Sequence, residues 1–511
     1  MASRVRATGV FLLLPLVSSA LLSFGLTAMA DASATWVVLI ICGMAALAAV
    51  VSLGDLKLAL LSIFLFTLPI EISKALTSEA GAYSPALQLY LSDLAFAPLA
   101  ALWLFDKIFG HRSPVYWTRV HWIALLLLLW FSIEAFLTPE SYGPLLNLNN
   151  VKYFVFFVVL ADLVRDPRYL KAALVALACG LAAQLTIAAL QFITGSELRI
   201  QGGKTAGAGR VLVFEQAGGL HVSRVSGFLP HPNIFADYLT FVLPPLIVML
   251  LLGRKMIGTL VWNISAVLSG GAMVALILAL SRAGWIAFVC SLAFIFVAGY
   301  WFGIVRKSHF VALAVIAGML IVGVSAIFPA AIYRVILSDN RSGDSRIAMI
   351  DQAFLIIERS PLLGVGLGGY NKAAQTATPS SWAALLPDYR ETLRKGVVHN
   401  KYLLTLAETG PVGLMLFLLF LGMNLLVPFG RITWTTPEQF ASVLGISAAI
   451  LAQMVFYLFD HFSYDTRIAL LYVFCGLMLG MRGPQVGAVA LRRSDRPLQP
   501  VRARLHGPKF D

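Results

Sequence analysis

A single histidine stands where a long polar segment of this chain gives way to a hydrophobic one. His399 opens the stretch HNKYLLTLAETGPVG. On a straight helix, which turns about 100° per residue, Leu406, Gly410 and Gly413 would lie within about 40° of His399. Such a helix would carry an imidazole at its outer end and small, close-packing residues below it. Because an imidazole titrates near neutral pH, His399 is suited to take a proton from a hydroxyl group.

Two arginines are candidates to bind an anionic group close to this histidine. Arg282, in SRAGW, lies at a turn between two apolar runs, and an arginine so close to hydrocarbon requires a partner. Arg224 lies in a loop just before SGFLPHPN. Two guanidinium groups suit a diphosphate, since each makes bidentate contacts and stays ionised. With a histidine base, the two arginines would support group transfer from a lipid-linked diphosphate. Because the arginines neutralise the charge of the diphosphate leaving group, no acid is needed to protonate it.

The composition requires that these residues be positioned by membrane helices. Of the 511 residues, 59% are hydrophobic and only 12% are charged, and the mean hydropathy is +0.84. Soluble domains carry about 25% charged residues, so this is an integral membrane protein. Apolar runs near the ~20 residues that cross a bilayer predict an all-α polytopic protein with 12–14 spans, and 14 is the best count. The predicted spans are 10–30, 35–52, 56–76, 89–109, 119–137, 151–165, 168–194, 232–252, 258–281, 284–304, 309–329, 400–427, 438–459 and 467–482.

The distribution of charge predicts the orientation. With the N-terminus in the cytoplasm, the short inner connections are basic, as the positive-inside rule expects. Both termini are then inside, and Arg224, Arg282 and His399 share the outer face of the membrane. That shared face favours a functional interpretation over structural alternatives: a helix-capping histidine, a loop arginine, or an arginine reaching lipid headgroups. Alternatively, a basic and apolar N-terminus ending in Ala28-Met29-Ala30 is a cleaved signal peptide, which leaves the later sites on the same side.

The chain divides into four parts. Residues 1–194 form N-terminal spans, 195–430 a core with outer loops at 195–231 and 330–398, 431–482 C-terminal spans, and 483–511 a basic cytoplasmic tail. In the second loop, Ile347, Ile350, Phe354 and Ile357 share one helical face, which predicts an amphipathic helix on the membrane surface over 345–360. A second short helix is expected near 388–396. The outer loops are basic, which favours an anionic ligand, although scattered solvated charges would also explain them.

Several other patterns carry less weight. The glycines of 364–369 satisfy G-x-G-x-x-G, but no strand of a βαβ unit precedes them, so a tight turn is expected instead of a nucleotide site. His221 and His231 lack metal-ligand spacing. Glu408 would lie about 13 Å along a straight helix from His399 and on its opposite side. No metal and no cofactor are expected.

A short turn near the C-terminus contains the residue types of a hydrolase triad. Asp460, His461 and Ser463 stand close together in sequence, but nothing in the pattern positions a nucleophile there. We therefore expect this turn to be structural.

At these residues the chain resembles the bacterial O-antigen ligase and O-antigen polymerase superfamily, over about residues 195–430. The motif is His399-Asn400, nine residues, then Gly410-x-x-Gly413; further landmarks are RVSGFLPHPN, SRAGW and SPLLGVGLGGYN. The resemblance implies a GT-C-like membrane glycosyltransferase that uses undecaprenyl-diphosphate-linked donors at the periplasmic face without a metal. It implies that His399 is the base and that Arg224 and Arg282 bind the diphosphate. The expected substrate-binding neighbours are Arg346, Asn400 and Tyr402.

The resemblance leaves the reaction partly open. A ligase transfers a finished glycan to lipid A-core, whereas a polymerase extends one lipid-linked glycan with another, and the motif favours a ligase. Ile286 stands where the family has leucine, which is a minor departure. A transporter of the lipid-linked glycan is the alternative from another class. Transporters tend to place charges and broken helices near the midplane, and the Pro244-Pro245 pair keeps that alternative open.

Overall fold

The structure is a computed structural model that describes most of the chain. The described residues are 55–75, 88–110, 114–138, 143–195, 213–215, 221–311, 341–385, 387–394, 396–430, 437–461 and 466–482. The predicted spans 10–30 and 35–52, most of the span 309–329, most of the loop 195–231 and the tail 483–511 lie outside these residues.

The described part is a helical bundle with two very small sheets. Eight of its helices are long and apolar enough to cross a membrane, and two shorter helices are also apolar. The prediction of an all-α polytopic membrane protein is confirmed, while the count of 14 spans stays a prediction. In chain order the elements are α1 (Leu56–Thr67), β1 (Ser73–Ala75), β2 (Gln88–Tyr90), α2 (Leu91–Phe109), α3 (Arg119–Leu137), α4 (Gly143–Leu163), α5 (Pro167–Thr194), β3 (Val213–Glu215), β4 (His221–Ser223), α6 (Pro232–Leu252), α7 (Arg254–Ile257), α8 (Thr259–Leu278), α9 (Arg282–Trp301), α10 (Arg341–Arg359), α11 (Tyr370–Thr376), α12 (Pro387–Arg394), α13 (Lys401–Leu425), α14 (Pro437–Phe456) and α15 (Thr466–Arg482).

Two predicted spans differ from the helices that form. The segment predicted at 151–165 begins at Gly143, so α4 includes asparagines that the hydropathy pattern had left in a loop. The segment predicted at 56–76 ends at Thr67 and continues into β1, which pairs with β2 as an antiparallel hairpin. A second hairpin joins β3 and β4. The hydropathy pattern misplaces these boundaries because it reports which segments are apolar and contains no information on which backbone groups form hydrogen bonds.

The helices α6 and α14 form the centre of the bundle. Most of α6 is buried, α14 packs along it, and α9 packs against both. The two backbones approach closely at Gly445, where a Cβ atom would stand 2.4 Å from the Cα atom of Pro245. Close packing of this kind is how membrane helices associate without a hydrophobic driving force. The Pro244-Pro245 pair therefore lies in a packed helix crossing.

Residues 341–398, which we call the cap segment, have a hydrophobic core of their own. Met349, Ala353 and Ile356 of α10 pack with Tyr370 and Trp382. Leu404 and Ala407 of α13 belong to the same cluster, so the cap segment rests on the start of α13.

The two helices expected in this segment are present as α10 and α12. The apolar stripe of α10 is divided between two environments. Ile350 and Ile357 pack against the cap core, whereas Ile347 is 63% exposed and Phe354 is 50% exposed. Ile347 and Phe354 are therefore available to a membrane surface.

Candidate functional site

The helix that carries the motif, α13, is broken in the middle. Gly410 has φ of 66° and ψ of −175°, and Pro411 follows it. Because proline has no N–H group and the helix is interrupted, the carbonyls of Ala407 and Glu408 lose their usual helical donors. Val365 N–H and Gly366 N–H of the cap segment donate to them instead, at 2.9 and 3.0 Å.

Glycine is required on both sides of this junction. A Cβ atom at Gly410 would stand 2.1 Å from the carbonyl oxygen of Leu362, and one at Gly364 would stand 2.5 Å from the backbone of Glu408. The expectation of one continuous glycine stripe below His399 is therefore wrong beyond Gly410, where the helix changes direction. The motifs SPLLGVGLGGYN and GPVG form one joint between the cap segment and the bundle.

The start of α13 is bonded to the end of α14. Lys401 N–H donates to the Tyr457 carbonyl at 2.8 Å, and the Tyr402 hydroxyl donates to the Met454 carbonyl at 2.6 Å. Asn400 caps α13 by accepting from Leu403 N–H at 3.0 Å. These bonds satisfy carbonyl and N–H groups that helix ends leave without partners. Asn400 and Tyr402 thus have structural contacts, and their predicted substrate binding stays a prediction.

This junction brings His399 into contact with Asp460. The His399 Nδ1 atom lies 3.4 Å from Asp460 Oδ1, across 61 residues of sequence. The same carboxylate oxygen accepts from His461 N–H at 2.8 Å. The imidazole rings of His399 and His461 are 5.1 Å apart.

The turn at 460–463, which was expected to be structural, places Asp460 in contact with His399. The available signal was topological: one span begins where His399 stands, and the next span ends just before Asp460. Ser463 lies outside the described residues.

The charge of Asp460 is held in place by its neighbours. Burial by itself would raise the pKa of this carboxyl, but hydrogen bonds from His399 and His461 and the nearby charge of Arg467 hold the pKa well below its ordinary value. Asp460 is therefore a carboxylate at neutral pH. It can fix the orientation of His399 and stabilise positive charge that develops on its ring.

His231 lies in the same group. Its pKa is lowered to about 4, mainly by burial and also by the charge of Arg224, while the charge of Asp460 acts in the opposite direction. Its Nδ1 atom accepts from Asn233 N–H at 3.0 Å, so His231 caps α6 as a neutral ring. Neither His231 nor Arg467 was expected at the site. His231 lies within RVSGFLPHPN but was considered only as a metal ligand, and Arg467 belongs to no motif.

Arg224 braces the turn that carries Arg282. It is 8% exposed, its Nε donates to the Ala279 carbonyl at 2.9 Å, and its Nη2 donates to Asn233 Oδ1 at 2.7 Å. The turn between α8 and α9 contains Leu280 at φ of 48°, a left-handed conformation that non-glycine residues adopt at a cost. Ser281 then caps α9, whose first residue is Arg282.

Arg346 connects the cap segment to this group. Burial lowers the pKa of Arg346, the charge of Asp460 raises it, and the charge of Arg282 lowers it again. Asp460 and Arg282 are therefore both close enough to Arg346 to interact with it. Of the residues predicted from sequence, Arg224, Arg282, Arg346 and His399 meet at one end of the bundle, which we call the site end.

Glu408 belongs to a different environment. It is 3% exposed, lies within electrostatic reach of Glu134, and lines a cavity of about 50 Å³ together with Asn149, Asn150 and Thr405. A cavity of that volume holds water molecules but no sugar. Asp460, and not Glu408, is the carboxylate in contact with His399.

The fold and the site together define a polytopic membrane protein with a histidine–carboxylate pair and several arginines at one end of its helical bundle. Residues 264–418 match the family model described as O-antigen ligase. The match runs from α8 through the cap segment into α13, so it includes Arg282, Arg346 and His399. The resemblance to the O-antigen ligase and polymerase superfamily is confirmed over these residues. A search of curated proteins finds no match to the chain.

Proposed function

We propose that this protein is a glycosyltransferase that moves a glycan from an undecaprenyl-diphosphate-linked donor to an acceptor hydroxyl. The reaction would take place at the periplasmic face of the bacterial inner membrane, and the form proposed first is ligation of O-antigen to lipid A-core. The observation that carries the proposal is the contact between His399 and the ionised Asp460, with Arg282 and Arg346 within electrostatic reach.

His399 would act as the base. With Nδ1–H directed at Asp460, the lone pair of Nε2 is free to accept the proton of the acceptor hydroxyl. The acceptor oxygen bonds to the anomeric carbon of the donor while the bond from that carbon to the phosphate oxygen breaks. The proton resides on His399, and undecaprenyl diphosphate leaves with the electron pair. The carboxylate of Asp460 would stabilise the imidazolium that forms.

The arginines would stabilise the leaving group. Charge accumulates on the departing diphosphate, and fixed guanidinium groups that are already oriented towards it lower the energy of the transition state. Arg282 and Arg346 would contact the diphosphate directly. Arg224 would act chiefly by holding the turn that presents Arg282, because two of its donors are already bonded to Ala279 and Asn233. In this proposal the charge of the arginines stabilises the leaving diphosphate, as a metal ion does in other transferases.

The cap segment would serve the lipid substrates. The exposed apolar face of α10 includes Ile347 and Phe354, and Arg346 on the same helix lies within electrostatic reach of Asp460 and Arg282. A helix that rests on the membrane surface with one face and on the site with another would guide lipid-linked donors from the bilayer to the arginines.

Reconstitution tests the proposal directly. The full chain in lipid vesicles is given a lipid-diphosphate glycan and lipid A-core, and the product is followed by its shift in mass. We expect His399→Ala to abolish transfer while donor binding is largely kept, and Arg282→Ala to weaken both donor binding and turnover. His309→Ala, which removes a histidine distant in sequence, is the matched control. Wild-type transfer by the His399 variant would refute the mechanism.

The acceptor separates the alternatives. A polymerase would extend a second lipid-linked glycan and leave lipid A-core unmodified, and its loss in cells would leave one repeat unit on the core. Loss of a ligase would leave the core bare while lipid-linked polymer accumulates. A transporter would move the lipid-linked glycan across the vesicle membrane without forming a glycosidic bond.

A further inference from the structure

The group formed by His399, Asp460 and His461 has the geometry of a metal site. Each residue offers one ligand atom, and these three atoms lie within 4.8 Å of one another. We propose that this group binds a divalent transition-metal cation, with Zn²⁺ as the best match, and that the bound ion inhibits the protein by occupying His399. The binding stands on the geometry alone, whereas the inhibition rests on the function proposed above.

Two of the three distances between the ligand atoms match those of tetrahedral coordination. Asp460 Oδ1 lies 3.4 Å from His399 Nδ1 and 3.3 Å from His461 Nδ1. Ligand bonds of about 2.05 Å at a tetrahedral zinc ion separate neighbouring ligand atoms by about 3.3 Å. An ordinary N–H···O hydrogen bond is shorter, at about 2.7–3.2 Å. The spacing therefore fits a shared ion at least as well as it fits two hydrogen bonds.

The surroundings keep this group accessible and oriented. The side chains of His399 and His461 are 36% and 29% exposed, whereas that of Asp460 is 8% exposed. An ion would therefore have to enter past the partly exposed rings, because the Nδ1 atom of His461 is itself buried. The carboxylate is oriented by the bond from His461 N–H, which is the kind of outer contact that fixes metal ligands. A fourth position would remain for water or a phosphate oxygen.

The neighbouring arginines limit the affinity. Arg346 and Arg467 are both close enough to Asp460 to interact electrostatically, and their positive charge opposes the binding of a cation. We therefore expect micromolar binding, weaker than at a structural zinc site. The same charge favours an anion in the fourth position.

Coordination of an ion would prevent His399 from acting as the base, because it would change the tautomer of the imidazole ring. A neutral imidazole carries one proton, and an ion at His399 Nδ1 requires that this proton reside on Nε2. The nitrogen proposed to accept the acceptor's proton then becomes a donor. No proton is gained or lost by the ring, because the proton only moves from one nitrogen to the other.

Direct binding is measured first, on the full chain in detergent, without a histidine tag and with the exposed Cys179 replaced by serine. Zn²⁺ is titrated by calorimetry. His461→Phe keeps an aromatic ring against His399 but removes the nitrogen ligand, and Asp460→Asn keeps the shape of the carboxylate. We expect at least tenfold weaker binding in both variants and unchanged binding in the control His309→Ala. Equal affinity in the wild type and both variants would overturn the site.

Inhibition is measured separately, as the ratio of transfer with and without Zn²⁺ in the same reconstituted system. We expect the ion to suppress transfer at least tenfold in the wild type, a chelator to restore it, and His461→Phe to lose most of the suppression. Because the donor diphosphate also binds zinc, the variants are compared at one donor concentration. Zinc that binds without suppressing transfer would overturn the inhibition. If no variant or wild type transfers glycan, the proposed function fails while the calorimetry still decides the site.

Discussion

Replacing Asp460 by asparagine would remove one negative charge beside His399 and little else. The amide keeps an oxygen that can accept from His461 N–H. Coulomb's law at the observed 3.4 Å gives about 5 kcal/mol between an imidazolium and a carboxylate at an effective dielectric constant of about 20, and about 2.5 kcal/mol at about 40. Since the His399 side chain is 36% exposed, solvent screens the pair and a value close to the lower end of this range applies. We expect a loss of about 2–3 kcal/mol in transition-state stabilisation, or roughly 30- to 200-fold in turnover.

The assay is glycan transfer in vesicles, with turnover and the Michaelis constant for the donor determined separately. The loss should fall on turnover and leave the Michaelis constant within about twofold, because Asp460 acts on a charge that develops only during the reaction. A double-mutant cycle gives the sharper test: in a His399→Ala background, Asp460→Asn should have almost no further effect. The melting temperature of each variant shows whether the fold is kept.

Two results would refute this reasoning. If Asp460→Asn reduced transfer equally in the presence and absence of His399, the carboxylate would act on something other than the histidine. If the variant raised the Michaelis constant and left turnover intact, Asp460 would serve donor binding and not proton transfer.

Two further predictions concern stability, and both are measured as thermal unfolding of the full chain in detergent. Gly410→Ala should cost more than about 2 kcal/mol, because its Cβ atom would overlap the Leu362 carbonyl at a φ of 66°, whereas Gly422→Ala in the same helix meets nothing within 4 Å and should be neutral or stabilising. Equal melting temperatures would contradict the proposed junction. The pKa of His231 is lowered to about 4 in the folded protein, below the unfolded value of about 6.5. The contribution of the neutral ring to the free energy of unfolding is therefore complete above pH 6.5 and is lost as the pH falls towards 4. The loss should reach at most about 3 kcal/mol and should shrink in His231→Gln; an equal acid effect in that variant would exclude His231 as its source.

The class of fold and two residues of the site, Arg282 and His399, follow from the amino-acid sequence alone. A helix that crosses a bilayer must satisfy its backbone hydrogen bonds internally and expose an apolar surface. Its position can therefore be recognised in the sequence as a run of about 20 apolar residues. For the same reason Arg282, at a turn between two such runs, and His399, at the start of another, stand out in the sequence as polar groups at the ends of apolar runs. Both lie at the site end, together with Arg224 and Arg346.

Which of these groups act on one another depends on the tertiary structure. Asp460 reaches His399 because the end of α14 bonds to the start of α13, and no local pattern encodes a contact across 61 residues. The break at Gly410 depends on donors from the cap segment, so the straight-helix geometry expected from sequence could not hold beyond it. Likewise the face of α10 that packs was settled by the shape of its partners, since periodicity identifies an apolar stripe but not what covers it. Local sequence determines helices through backbone hydrogen bonds and burial. The chemistry of this site instead arises where the ends of distant helices form hydrogen bonds to each other's terminal backbone N–H and C=O groups.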